Sequence, residues 1–190
     1  SLWEPLPYVY TCSNKTIQNI PAGETLRVVV DHVRPGYEFD YWEGCSSTTP
    51  YCELTVNSDL TLTVHLKAST LTTPTLQGPG GPVNSGDEFS LNWSDVTGAS
   101  DYGIIEDEEA IPPDYEPYYQ WSNWTCFPTY RTSDSSSENI RFYTAQDTTF
   151  HYRVVARKTF SATGVYPCSV VAMSPLSNEV TVDIEPHVLI

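Results

Sequence analysis

The stretch FSLNWSDVTGASDYGIIED, residues 89–107, decides the fold. Phe89, Leu91 and Trp93 alternate with Ser90 and Asn92, the period of two that sends apolar side chains to one face of a strand and polar ones to the other. Tyr102 and Ile104 repeat the pattern, and so do Phe150, Tyr152, Val154 and Ala156, and finally Val180, Val182 and Ile184. Strands at this spacing build a β-sandwich with long inserted loops.

Composition agrees with an all-β chain. The 190 residues are rich in Thr, Ser, Tyr and Val and include 15 Pro and 1 Met, which suits short strands and tight turns. That length accommodates two small domains. Upstream of the sandwich, LRVVVDHV (26–33), GYEFDYWEG (36–44) and LTLTVHLK (60–67) read as strands between Gly, Pro, Asn and Asp punctuation. In the last, Leu60, Leu62, Val64 and Leu66 are expected to share a buried face, and Thr61, Thr63, His65 and Lys67 the exposed one. His65 is thus read as a surface residue rather than a ligand. The passage ASTLTTPTLQGPGGPVNSG then turns Ser/Thr- and Pro/Gly-rich, placing a domain boundary near Ser69 and dividing the chain into 1–69 and 70–190.

The segments FSLNWSDVTGASDYGIIED, YRVVAR (152–157) and SPLSNEVTVDI (174–184) together resemble a fibronectin type III domain over about 71–186. The shared features are a Trp on strand B, GAS-x-Y leading into strand C, Y-x-V-x-A on strand F and Ser-Asn opening strand G. The resemblance implies an immunoglobulin-like sandwich with unusually long connections after strand C and before strand G. The first half, over about 20–68, resembles the divergent internalin B-type repeat of bacterial surface proteins. Gly36, Phe39, Trp42, Gly44, Cys45, Cys52 and Asp59 carry that likeness. It implies a small β-grasp-like module with a cysteine-closed loop. Both families are structural modules without shared catalytic residues.

The five cysteines contain no CxxC pair and no His at zinc-ligand spacing, so disulfides in an oxidising compartment are expected. Closing the loop from Cys45 to Cys52 stabilises by roughly 2.5 kcal/mol on a chain-entropy estimate. In a fibronectin-like sandwich the two long loops meet at one end, which pairs Cys126 with Cys168. Closing that loop is worth about 4 kcal/mol. Cys12 is left over as a free thiol, a bridge to another molecule, or a sign of a different pairing.

A net charge of -15 repels phosphate backbones and anionic lipid, so nucleic acid is excluded as a partner. No run of about 18 apolar residues is present to span a bilayer. The chain begins at Ser1 without a charged and then apolar leader, as a processed product or an excised fragment would. No cofactor or metal site is expected. G-x-S-x-G, H-E-x-x-H and phosphate-cradling Gly loops are missing, and His32, His65, His151 and His187 sit mostly in strand-like stretches. The acidic run Glu106, Asp107, Glu108, Glu109 lacks the spacing of a calcium loop and reads as a solvated strand end. Asn14 and Asn123 stand in N-x-[ST] as candidate glycosylation sites, whereas Asn92, in the same motif, lies mid-strand beside Trp93.

YEPYYQWSNWTCFPTY, residues 115–130, holds seven aromatic residues in sixteen positions. The first reading of this stretch is packing against the chain's own sheet; the second makes Tyr115, Tyr118, Tyr119, Trp121 and Trp124, with Cys12, candidate interface residues, and the third is stacking on sugar rings. Apolar, proline-bearing ends such as SLWEPLPYVY would serve as strands added to a neighbouring subunit. The sequence therefore points to a non-catalytic extracellular structural or adhesive protein of a prokaryotic cell surface, whose partner is protein, foremost its own copies. A carbohydrate-binding module of a secreted glycosidase is the rival reading, and an enzyme a distant third.

Overall fold

The structure, a computed structural model, describes residues 8–9, 20–30, 32–115, 131–160 and 169–186, and every regular element among them is a strand. In the first half, Tyr8–Val9 (β1) runs parallel to Thr25–Val29 (β2), which pairs antiparallel with a strand further on. Tyr37–Glu43 (β3) precedes that strand, Tyr51–Thr55 (β4), and Thr63–Ala68 (β5) follows it, pairing antiparallel with β3 through a register shift around Asp40. Gly44 ends β3 at φ +88°, and a Cβ there would lie 2.3 Å from the Thr61 carbonyl oxygen, so no other residue fits.

The second half contributes Leu76–Gln77 (β6), Val83–Asn84 (β7), Glu88–Trp93 (β8), Asp101–Asp107 (β9), Arg131–Ser133 (β10), Ser137–Arg141 (β11), Thr148–Phe160 (β12), Ser169–Met173 (β13) and Val180–Glu185 (β14). One sheet has the order β11-β8-β6; facing it, β10, β9, β12 and β14 follow one another. Lettered along the chain, these sheets are E-B-A and C′-C-F-G, the strand order of a fibronectin type III-like sandwich. The first strand switches sheets: β6 pairs β8, and β7 runs parallel to β14. Phe89, Leu91, Trp93, Tyr102, Ile104, Tyr152, Val154, Ala156, Val182 and Ile184 fill the space between the sheets, as their alternation requires.

The last strand is split. β13 pairs the C-terminal part of β12, and β14 the N-terminal part. Between them, the fully buried hydroxyls of Ser174 and Ser177 accept the N–H groups of Ala156 and Val154 at 3.0 and 2.8 Å, so the β12 ladder continues where prolyl backbone interrupts it. Asn178 does the same for the opposite sheet, accepting from the Leu76 N–H and donating to its carbonyl, both at 2.9 Å.

β12 is buried on both faces. Tyr152, Val154 and Ala156 face the sandwich interior, while Val155, with Ile105 of β9 and Met173 of β13, packs against Leu26, Val28, Val30, Val33, Trp42 and Cys52 of the first half. The two sides of Ser69 thus share a second core laid on the outer face of the C-F-G sheet. Backbone bonds reinforce it: Val33 N–H to Val170 at 3.2 Å, and Gly36 N–H to Ser174 at 3.0 Å. β3 also joins β13 through Ala172 and Glu38, so the sheet runs on from the sandwich into the first half.

One expectation is corrected. The 60–67 stretch is a strand only from Thr63, and of its apolar row only Leu62 packs, partly buried, against the second core, while Leu60, Val64 and Leu66 are 44%, 39% and 38% exposed. Val64 and Leu66 stand opposite Trp42 and Phe39, which do pack on the second core, so their direction follows the alternation. The second core reaches Leu62 ahead of the strand but leaves Val64 and Leu66 mostly uncovered.

Candidate interaction surface

β5 occupies the end of the large sheet and, among the described residues, pairs only with β3. A strand in that position presents unpaired N–H and C=O groups along its outer side. The two faces of this edge differ. On the core side, Val64 and Leu66 form an exposed apolar row. On the other side, His65 stacks on Tyr41 with ring centroids 4.3 Å apart and planes 4° from parallel, and its Nε2 lies 3.0 Å from Glu43 Oε2. His65 is at the surface, as expected, but half-covered by these contacts.

Lys67 Nζ lies 3.4 Å from Glu38 and 3.2 Å from Asp40, contacts that raise its pKa, Asp40 foremost. Burial pushes the Glu38 carboxyl up, but the Thr70 amide, the Thr70 hydroxyl and Lys67 outweigh it and hold it below the usual carboxylate range. A lysine on an open edge ordinarily guards it against pairing; here that charge is turned sideways and neutralised.

The hairpin carrying this edge is braced. Cys45 and Cys52 form a disulfide, with Cys52 fully buried in β4. Trp42 Nε1 donates to the Thr49 carbonyl across the closed loop at 3.0 Å. Cys52 is also part of the second core, so the bridge ties the loop to the sandwich.

The base of the aromatic insertion is anchored at Ile111, which is buried in the second core. Glu179 accepts the Ile111 N–H at 2.8 Å, and Arg153 Nε donates to its carbonyl at 2.7 Å. His151 Nδ1 sits 3.2 Å from Glu179, and Arg153 also donates to the Ser177 carbonyl at 2.6 Å. Burial raises the Glu179 pKa, but the Ile111 amide, His151 and Arg153 bring the balance below the ordinary value. Tyr115, a candidate contact residue, packs partly against the same core. The acidic run ends β9, with Asp107, Glu108 and Glu109 exposed and Asp107 Oδ1 accepting the Glu109 N–H at 3.1 Å. The remaining sequence candidates, Cys12, Asn14, Tyr118, Tyr119, Trp121, Asn123, Trp124, Cys126 and Cys168, lie outside the described residues.

Sequence reasoning did not mark β5 as an open edge, nor Glu179 and Arg153 as the anchor of the insertion. The His-x-Arg alternation on β12 was the available trace of the latter, since a strand sends residues two apart to one face.

No protein-family model matches the chain, and no curated protein does. Among solved structures it is similar to an Fn3-like protein from Clostridium thermocellum, at 17% identity over 65% of this chain and 99% of that one, with a TM-score of 0.33. It is also similar to a mutant of FN3tt, at 15% identity over 62% of this chain and 100% of that one, with a TM-score of 0.32. At that distance the class rests on strand order: an all-β chain built on a fibronectin type III-like sandwich. No helix among the described residues is long and apolar enough to cross a membrane.

Proposed function

We propose that the chain is a non-catalytic structural or adhesive protein of a prokaryotic cell surface, working outside the cell by binding protein and foremost copies of itself. The observation that carries this reading is the β5 edge, which among the described residues pairs only with β3 and whose apolar row Val64 and Leu66 is presented on a sheet backed by two cores. Burying such a row and pairing its backbone is the ordinary driving force of strand-addition assemblies. The disulfide suits an oxidising exterior. A non-catalytic role accords with the use made of the ionisable groups: His151, Arg153 and Glu179 hold the backbone of Ile111, and His65 is stacked on Tyr41. For the first half, the positive φ of Gly36 and Gly44, the buried Trp42 and the Cys45–Cys52 loop support kinship with internalin B-type repeats.

The test is light scattering of the purified chain over a concentration series, beside a glycan panel. Mass rising with concentration and no saturable glycan binding is the expected result. Saturable binding to one glycan by a chain that stays monomeric would replace this reading with a carbohydrate-binding module.

A further inference from the structure

We propose that the outer edge of β5 pairs antiparallel with β5 of a second copy of this chain, centred on His65, to make a two-fold dimer; this rests on the self-association reading and names its interface. Directly opposite residues of an antiparallel pair lie on the same face of the sheet. For two identical strands, only registers centred on a residue keep both apolar rows on one side; a register centred between residues would set His65 opposite Leu66 and turn one apolar row to the polar face.

Centring on His65 uses the strand from Thr63 to Lys67 and sets Val64 opposite the partner's Leu66, Thr63 opposite the partner's Lys67, and His65 opposite the partner's His65. Each apolar residue thereby meets an apolar one. Centring on Leu66 would set His65 beside the partner's Lys67 and Val64 beside the small partner's Ala68, losing apolar contact and bringing two basic side chains together. Centring on Val64 would pair residues upstream of Thr63, where the strand has not begun.

Charge also fits a second copy. On β3, Glu43 stands beside Thr63 and Glu38 beside Lys67. Across the two-fold, a row of the joined sheet reads Glu43, Thr63, the partner's Lys67, the partner's Glu38, so the lysine lies between carboxylates of both copies. Lys67 is already paired with Glu38 and Asp40, so it brings no unbalanced charge to the contact. The net charge of -15 opposes association generally; at this edge Lys67 partly offsets Glu38, Asp40 and Glu43, and the apolar row supplies the attraction.

The experiment uses the full chain in sedimentation or light scattering from about 1 to 100 μM, concentrations spanning moderate affinities. A dimer is expected, with Leu66→Lys weakening it by roughly tenfold or more because each copy sets a charge against an apolar partner. His65→Cys should cross-link to itself with a short bifunctional maleimide, above the background of the unsubstituted chain. Val64→Cys and Leu66→Cys should cross-link best when mixed with each other. Should Leu66→Lys fail to fold by near-UV circular dichroism, the His65→Cys cross-link and concentration-dependent amide protection of residues 63–67 decide. Association that persists unchanged in Leu66→Lys, without a His65→Cys cross-link, would overturn the β5 pairing while sparing self-association. A chain monomeric throughout, whether its edge is covered by another part of itself or by nothing, would overturn both.

Discussion

Arg157 shows how much this sandwich departs from one with a solvated outer sheet. It is 2% exposed, and its Nε bonds to Asp101 Oδ1 at 2.5 Å, so a charge sits where an isolated module would have water. Removing one member of a buried pair costs far more than the pair contributes. Asp101→Ala should lower the unfolding free energy by about 3 kcal/mol, measured by urea denaturation. Glu179 makes a pH-dependent contribution whose sign is set by its lowered pKa. Because the folded state favours the ionised carboxylate, the stabilisation is complete above the ordinary carboxylate range and is lost as pH falls through the depressed folded value. Wild-type chain should therefore lose stability between neutral and acidic pH more steeply than Glu179→Gln. Equal slopes for the two would show that the clamp on Ile111 does not depend on that charge.

At the scale of elements, the split last strand depends on two hydroxyls. Ser177→Ala would leave the buried Val154 N–H without its acceptor, and a loss of about 1–3 kcal/mol is expected in the same denaturation assay. Replacing Cys45 and Cys52 together by Ser should cost about 2.5 kcal/mol on the loop-entropy estimate, seen as a lower thermal midpoint. The sandwich strands were legible because Phe89-x-Leu91-x-Trp93 and Tyr152-x-Val154-x-Ala156 each carry the period of a strand with one face in a core. The second core left a trace that alternation alone passes over: Ile104 and Ile105 are adjacent, as are Val154, Val155 and Ala156, and consecutive apolar residues mark a strand covered on both faces. The exposed row of β5 was not legible, since alternation gives the direction of a side chain and not whether anything lies against it. The serine and asparagine bonds of 174–178 were read only as a family feature, for their partners Val154, Ala156 and Leu76 are remote in sequence.

Over the whole molecule, the first half and the sandwich are joined by a shared core, a continuous sheet and the bonds of Val33 and Gly36. The edge proposed to bear contacts with other copies gains from this, because β5 is paired to β3, and β3 is paired to β13 and packed through Trp42 on Val155's side of the sheet. Such coupling makes unfolding of the two halves one event, and the edge as durable as the sandwich. Hydrogen exchange followed by mass spectrometry across a denaturant series tests this most directly. The account predicts that amides of residues 26–30 and 152–156 lose protection together, with one free energy of opening. Residues 26–30 exchanging at low denaturant while 152–156 stay protected would contradict it.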